Sequence, residues 1–287
     1  MIIEYSSKLY PEKLKEIKKP PTRLYAEGNV EILKDFGISV IGSRTNTQYG
    51  EEMCEKFTEE LVRYDIIIIS GLAVGIDSIA HKTCLKNGGK TIAVLPSGLN
   101  NIYPKENINL YKEIIKNGGV IVSEYEDNIK ATSKNFLERN RIVAGLGAGT
   151  LVIEAGYRSG TTVTARYTKE QGKTIFCIPS SLQNIKGKST NELIKNGAKL
   201  VTDIKDILKT YSNMKFIKKE IYKKDIILNV PKNLIEIYQV LNEKPQNINE
   251  ISRKLNKPIS EVSYKIMMLQ LNDKIIELPG QNFVRKI

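Results

Sequence analysis

The stretch Ile66-Ile-Ile-Ile-Ser-Gly-Leu-Ala-Val-Gly-Ile-Asp77 decides the fold. Four branched aliphatic residues in a row suit a strand covered on both faces, and Ser70-Gly71 ends that run before a helix opens at about Ile76. The same alternation continues outward on both sides. Strands are expected at 38–42, 66–70, 91–95, 120–123, 150–154, 174–178 and 199–202, with amphipathic helical segments such as 47–63 and 134–144 between them. Nearly continuous apolar strands that alternate with helices predict an α/β fold, an extended Rossmann-type, doubly wound and mostly parallel sheet. In such a sheet ligands are expected at the carboxyl ends of the strands.

The chain of 287 residues is long enough for one full domain and one small one. The core domain is expected at 38–208. Residues 1–37 read as an N-terminal lead-in segment, broken at Pro20-Pro21, and 209–230 as a lysine-rich linker. From 231 to 287 the pattern changes to three amphipathic helices, at 233–241, 248–255 and 260–271, followed by strands at 274–278 and 282–285 around Pro279-Gly280. Three helices with a terminal hairpin, Ser260 standing at the N-cap of the third, predict a winged helix-turn-helix domain.

The formal charge of +12 favours a polyanionic partner. Lysine outnumbers arginine 35 to 9, yet five arginines, Arg44, Arg139, Arg141, Arg158 and Arg166, fall within the strand-end motifs. A guanidinium presents a planar fork that matches phosphate. Three scattered cysteines and one histidine, His81, form no metal-binding or disulfide pattern. No apolar run has the length needed to cross a bilayer, and the N-terminus carries no secretory signal pattern, so a cytoplasmic location without membrane contact is expected.

The strand-end loops carry the chemistry. Gly42-Ser43-Arg44 follows the first strand and Ser70-Gly71 the second, while Ser159-Gly160-Thr161 opens the helix after the fifth. Such loops bring backbone N–H groups and a helix N-terminus to an anion. A tight βα turn that binds nothing has the same look, and only the convergence of several loops favours a ligand. Lys134, Phe136, Arg139, Asn140 and Arg141 sit at the start of the helix after the fourth strand, where charge, hydrogen bonding and an aromatic face meet the needs of a single strand of nucleic acid. Arg44 and Arg139 are expected to grip the phosphate backbone, with Lys134 at the rim. Two readings of Phe136 stand side by side, base stacking and core packing. For Arg141 the alternatives are phosphate contact and pairing with Glu124 or Glu154. His81 reads as a packing residue. The Gly-Lys-Thr/Ser tripeptides at Gly89, Gly172 and Gly187 lack the upstream glycine of a Walker A loop, which argues against ATP hydrolysis. Gly145-Leu-Gly-Ala-Gly149 precedes a strand and reads as a helix C-cap, not a dinucleotide fingerprint.

Taken together, Gly42-Ser-Arg44, Ser70-Gly-Leu-Ala73 with Gly75-Ile-Asp77 and His81, Leu95-Pro-Ser-Gly98 with Ile102-Tyr-Pro104, Arg139-Asn-Arg-Ile-Val-Ala-Gly145, Glu154 with Ser159-Gly-Thr161, and Thr164-Ala-Arg166 resemble the DNA-processing protein A (DprA/Smf) family. The likeness spans nearly the whole chain. It implies a homodimeric recombination mediator that protects single-stranded DNA and helps load the RecA recombinase in natural transformation. It implies neither a catalytic residue nor a cofactor. The DNA-binding residues it points to are Ser43, Arg44, Gly71, Lys134, Phe136, Arg139, Asn140, Arg141, Ser159, Gly160, Thr161 and Arg166. Val74 stands where the family commonly has a basic residue, Ser180 and Ser189 replace usual glycines, and Glu138 puts a negative charge beside Arg139.

A competing reading comes from a different class. Related Rossmann-like folds sense nucleotides or cleave nucleoside monophosphates, and Glu154 would then act as the general acid or base. Against it, those hydrolases carry a Pro-Gly-Gly-x-Gly-Thr loop before the glutamate, whereas here Glu154 precedes Ser159-Gly-Thr. A third reading, duplex recognition by the winged helix, meets a recognition helix whose only basic residue is Lys265.

Overall fold

The computed structural model describes residues 1–156, 159–218, 230–242 and 245–285, which fall into two compact units, 1–219 and 220–287. The first unit is built on strands β1 (Ile2–Glu4), β2 (Arg23–Gly28), β3 (Gly37–Ile41), β4 (Ile67–Ser70), β5 (Thr91–Leu95), β6 (Val120–Ser123), β7 (Gly149–Val152), β8 (Thr174–Cys177) and β9 (Lys199–Leu200). They form one sheet in the order β1-β2-β6-β5-β4-β3-β7-β8-β9. Every pairing from β6 to β9 is parallel, while β1 and β2 pair antiparallel at one edge. The chain runs outward from β3 to β6 and then returns to place β7 beside β3. The topological switch point, where an α/β sheet opens a crevice for ligands, therefore lies between β3 and β7.

Side-chain alternation explains the continuous apolar runs. Ile67 and Ile69 pack into the core on one face, and Ile66 and Ile68 into the core on the other. In and just beyond β8 the same split sends Ile175 and Cys177 to one side and Phe176 and Ile178 to the other. Helices α1 (Glu12–Lys15), α2 (Gln48–Arg63), α3 (Ile76–Lys86), α4 (Ile108–Lys116), α5 (Ser133–Leu146), α6 (Gly160–Glu170), α7 (Lys188–Lys195) and α8 (Ile204–Leu208) complete the unit. Thr47 caps α2 by accepting from the Gly50 N–H, and Thr132 caps α5 from the Asn135 N–H. Gly147 ends α5, as the glycine-rich run predicts, and the Lys173 ammonium donates to the Ala144 and Gly145 carbonyls at that helix end.

The sequence underestimates two segments. Residues 1–37 are no mere preface: β1 and β2 extend the sheet, and Tyr10, Leu14, Leu24 and Leu33 are fully buried in its core. Residues 209–218, expected as linker, hold Tyr211 and Phe216 against Phe36 at ring separations of 5.0 and 5.5 Å. The remainder of the expected linker, 219–229, lies outside the described residues.

The second unit contains α9 (Ile235–Val240), β10 (Gln246–Asn247), α10 (Ile248–Leu255), α11 (Ile259–Leu271), β11 (Ile275–Leu278) and β12 (Asn282–Arg285). Its three antiparallel strands run in the order β10-β12-β11, and its own core gathers Leu234, Ile237, Leu241, Ile251, Val262, Ile266, Leu269 and Phe283. Three helices followed by a hairpin are the elements that the sequence assigned to a winged helix. Pro258, not Ser260, occupies the N-cap of α11; proline's fixed φ starts the helix two residues early and leaves Ser260 inside the first turn. Among the described residues no helix is long and apolar enough to cross a membrane.

Candidate nucleic-acid interface

A cleft of about 570 Å³ opens at the β3/β7 switch point. Its walls come from the loops after β3, β4 and β7, from α5, from the N-terminal ends of α3 and α6, and from Lys186. These loops are tied to one another by backbone carbonyls. The Ser43 carbonyl accepts from the Ile76 N–H at 3.1 Å, the Thr161 hydroxyl donates to the Gly42 carbonyl at 3.0 Å, and the Lys186 ammonium donates to the Thr45 carbonyl at 2.5 Å. Two glycines permit this closeness. At Gly75 (φ +80°) a Cβ would stand 2.3 Å from the Ser43 carbonyl oxygen, and at Gly71 it would stand 2.6 Å from the Arg139 guanidinium.

Arg44 is exposed, and among the described residues its guanidinium forms no ion pair. It lies over the Phe136 ring, 4.7 Å from the centroid, a cation–π contact that fixes an otherwise flexible side chain at the mouth of the cleft. Phe136 is itself half-buried and lines the cleft while supporting its neighbours. The Tyr103 ring meets it edge to face at 5.4 Å.

Arg139 departs from expectation. It is 3% exposed, and its guanidinium donates to the carbonyls of Gly71 and Val94, while its Nε donates to Asn140. The physical reason is that the carbonyls of Gly71, just after β4, and Val94, within β5, lie beneath the cleft, and an arginine supplies enough donors to reach both. Half-buried Asp77 adds the opposite charge. Burial pushes its carboxyl upward, against the Arg139 charge and the N–H groups of Ala73 and Gly71 that pull it down. Burial also lowers the Arg139 guanidinium to about 10. Arg139 is thus the floor of the cleft, not an exposed grip.

The remaining expected residues divide. Ser43, Gly71, Asn140, Ser159, Gly160 and Thr161 all line the cleft. The Ser43 hydroxyl accepts from the Thr45 N–H, and Asn140 donates to the Gly160 carbonyl, so both shape loops around it. The Ser159 hydroxyl oxygen is buried without a partner among the described residues, at the N-terminal end of α6. Lys134 stands on the first turn of α5 with its side chain 81% exposed, 3.7 Å from Glu138. Glu138 also accepts from the Tyr125 hydroxyl at 3.2 Å. Two arginines are not brought to the cleft lining: Arg141 pairs with Glu124, the second of its two readings, and Arg166 lies 3.6 Å from Glu170 on the outer face of α6. Arg166 meets a carboxylate one turn on along its own helix, and Arg141 meets one 17 residues back, just past the end of β6. Arg158 lies outside the described residues. Sequence reasoning also missed the place of Lys186 in the cleft wall, which nothing distinguished from the other loop lysines, and the contact of the Tyr103 ring with Phe136.

Glu154 is 1% exposed and its carboxylate accepts from the Thr47 N–H, the Thr47 hydroxyl and the Asn184 amide at 2.8, 2.7 and 2.9 Å. It holds the start of α2 and does not line the cleft. His81 is fully buried. The Thr91 hydroxyl spends its only proton on the Ile68 carbonyl, so the His81 Nδ1 must donate to it, at 2.7 Å. Burial, with the nearby Arg139 charge, lowers the imidazole to about 3, and it packs as a neutral group.

Comparisons with known proteins agree with this architecture. Protein Smf of Escherichia coli (strain K12) is 34% identical over 290 residues, 97% of this chain and 76% of that one. DNA processing protein DprA of Streptococcus pneumoniae is 41% identical over 199 residues, 69% of this chain and 70% of that one. Among solved structures, DprA from Streptococcus pneumoniae superposes with a TM-score of 0.70 at 38% identity, covering 76% of this chain and 75% of that one. DNA processing protein A from Helicobacter pylori, described for its single-stranded DNA binding mode, gives a TM-score of 0.66 at 31% identity over 74% of this chain and 95% of that one. The family model for DNA recombination-mediator protein A matches residues 1–212, and the chain belongs to that family.

Proposed function

We propose that this chain binds single-stranded DNA in the switch-point cleft and mediates recombination by presenting the strand to a RecA-type recombinase during natural transformation. The observation that carries the reading is Arg44, exposed and without a carboxylate partner among the described residues, held over Phe136 at the mouth of a cleft into which α6 also opens. A guanidinium, a helix N-terminus and an aromatic surface are the three groups a phosphate–sugar–base repeat engages. In this account Arg44, with Lys134 and Lys186 at the rim, meets phosphates. Ser159, Gly160 and Thr161 offer hydroxyls and first-turn N–H groups. Arg139 acts from beneath, as the charge that fixes Gly71 and raises the potential of the floor, while Ser43, Asn140 and Gly71 hold the loops. Arg141 and Arg166, engaged with Glu124 and Glu170, have no part in it.

The protein is proposed to work in the cytoplasm as a homodimer. Leu182 and Ile185, 96% and 80% exposed in the loop after β8, and Leu200, 46% exposed on the edge strand β9, give that side of the unit an apolar surface suited to a second subunit. The second unit is proposed as a winged-helix auxiliary module. The nucleotide-cleaving alternative gains nothing from the geometry, because the Glu154 carboxylate is occupied by three donors. Gel-shift titration with single- and double-stranded oligonucleotides of the same sequence tests the reading. A clear preference for the single strand, and faster RecA filament growth on coated DNA when the protein is added, are expected; equal affinity for both, or turnover of a nucleotide that Glu154→Ala abolishes, would reject it.

A further inference from the structure

We infer that Tyr103 is a nucleobase-stacking platform that extends the cleft beyond Phe136, an inference that rests on the single-stranded DNA reading. Phe136, the aromatic residue within the cleft, is already in use: the Arg44 guanidinium lies over its ring at 4.7 Å, and the Arg139 guanidinium is 6.0 Å from its centroid. A base arriving at that ring would have to displace Arg44. Tyr103 offers what Phe136 does not. The residue is 47% exposed, and its ring meets Phe136 at 5.4 Å with the planes 77° apart. In an edge-to-face pair at most one face of either ring is consumed, so at least one face of Tyr103 is not used by Phe136.

The backbone beneath this side chain is held firmly, which an exposed ring on a surface loop does not require for folding. The Ser97 hydroxyl donates to the Asn101 carbonyl at 2.7 Å, the Gly98 N–H to Ile129 at 2.9 Å, the Asn101 amide to Asp127 at 3.1 Å, and the Asn107 amide to Leu72 at 2.8 Å. The loop is thereby fastened to its own ends, to the loop after β6 and to the loop after β4. A tyrosine has only two rotatable side-chain bonds, so a ring on such a base stacks a ligand at little entropic cost. Exposed Lys105, two residues on, places a cation where the phosphate beside a stacked base would run.

Binding of the full-length parent, Tyr103→Ala and Tyr103→Leu to an oligo(dT) strand and to an abasic strand of equal length tests the platform. Leucine keeps apolar packing against Phe136 and removes the flat face together with the hydroxyl, for which no hydrogen bond is found among the described residues. Both variants should bind oligo(dT) about tenfold more weakly than the parent and bind the abasic strand as the parent does. The salt dependence of binding should not change, since no charge is removed. Equal losses on both strands, or a Leu variant that binds oligo(dT) like the parent, would show that Tyr103 merely packs and would overturn the inference. A parent that binds neither strand would instead bring down the DNA reading on which it rests.

Discussion

Two buried side chains decide how the first unit's stability responds to mutation and to acid. Arg139 satisfies the Gly71 and Val94 carbonyls and faces Asp77, so Arg139→Ala strands two buried acceptors and a carboxylate deprived of its counter-charge. A loss of about 3 kcal/mol in folding stability is expected, read from urea unfolding, with DNA binding falling together with the native fraction. A fully stable Arg139→Ala protein would show that the floor is held in some other way. His81 has the opposite character, being neutral where it sits. Its folded pKa lies near 3 against 6.5 for the free group, so between those values the unfolded chain binds the extra proton. Its contribution to stability is therefore complete above pH 6.5 and lost progressively as the pH falls toward 3. Urea midpoints measured from pH 7 to pH 4 should decline less steeply for His81→Gln than for the parent, and parallel profiles would contradict the assignment.

Helix α2 depends on a residue more than a hundred positions away. Glu154, at the end of β7, accepts from the Thr47 N–H and hydroxyl just before the helix starts and from Asn184 in the loop after β8. Glu154→Ala should cost about 2 to 3 kcal/mol, the worth of hydrogen bonds to a buried charge, seen as a lower urea midpoint. An unchanged midpoint would mean that Thr47 caps α2 unaided. The elements themselves were largely legible in the sequence, because β4, β5, β7 and β8 are covered on both faces and read as unbroken apolar runs. The short strands β1 and β2 were not. Their places come from pairing β2 with β6, about a hundred residues distant, a contact that no local pattern encodes. The candidate site divides in the same way. Its loops were readable from glycines at strand ends, whereas the burial of Arg139 depends on carbonyls 68 and 45 positions away, and the pairing of Arg141 depends on Glu124 across 17.

The chain is two units with separate cores, and the family match ends at residue 212, inside the first. Every residue of the proposed interface lies in that unit. A 1–218 fragment is accordingly expected to fold and to keep single-stranded DNA binding within a few-fold of the full chain, checked by circular dichroism and gel shift; a folded fragment without affinity would move the interface to the second unit. The second unit's α11 offers little to a duplex: Lys265 lies 2.8 Å from Glu261, and Tyr264, Met267 and Leu271 occupy its exposed side. The central claim, that the exposed Arg44 at the switch point grips the backbone of a single strand, is tested most directly by the salt dependence of binding. For the parent, log affinity should fall linearly with log salt. For Arg44→Ala the line should be shallower by about 0.7, one phosphate's worth, with weaker binding on oligo(dT) and on mixed sequence alike and an unchanged melting temperature. A folded Arg44→Ala protein with the parent's affinity and the parent's slope would contradict it.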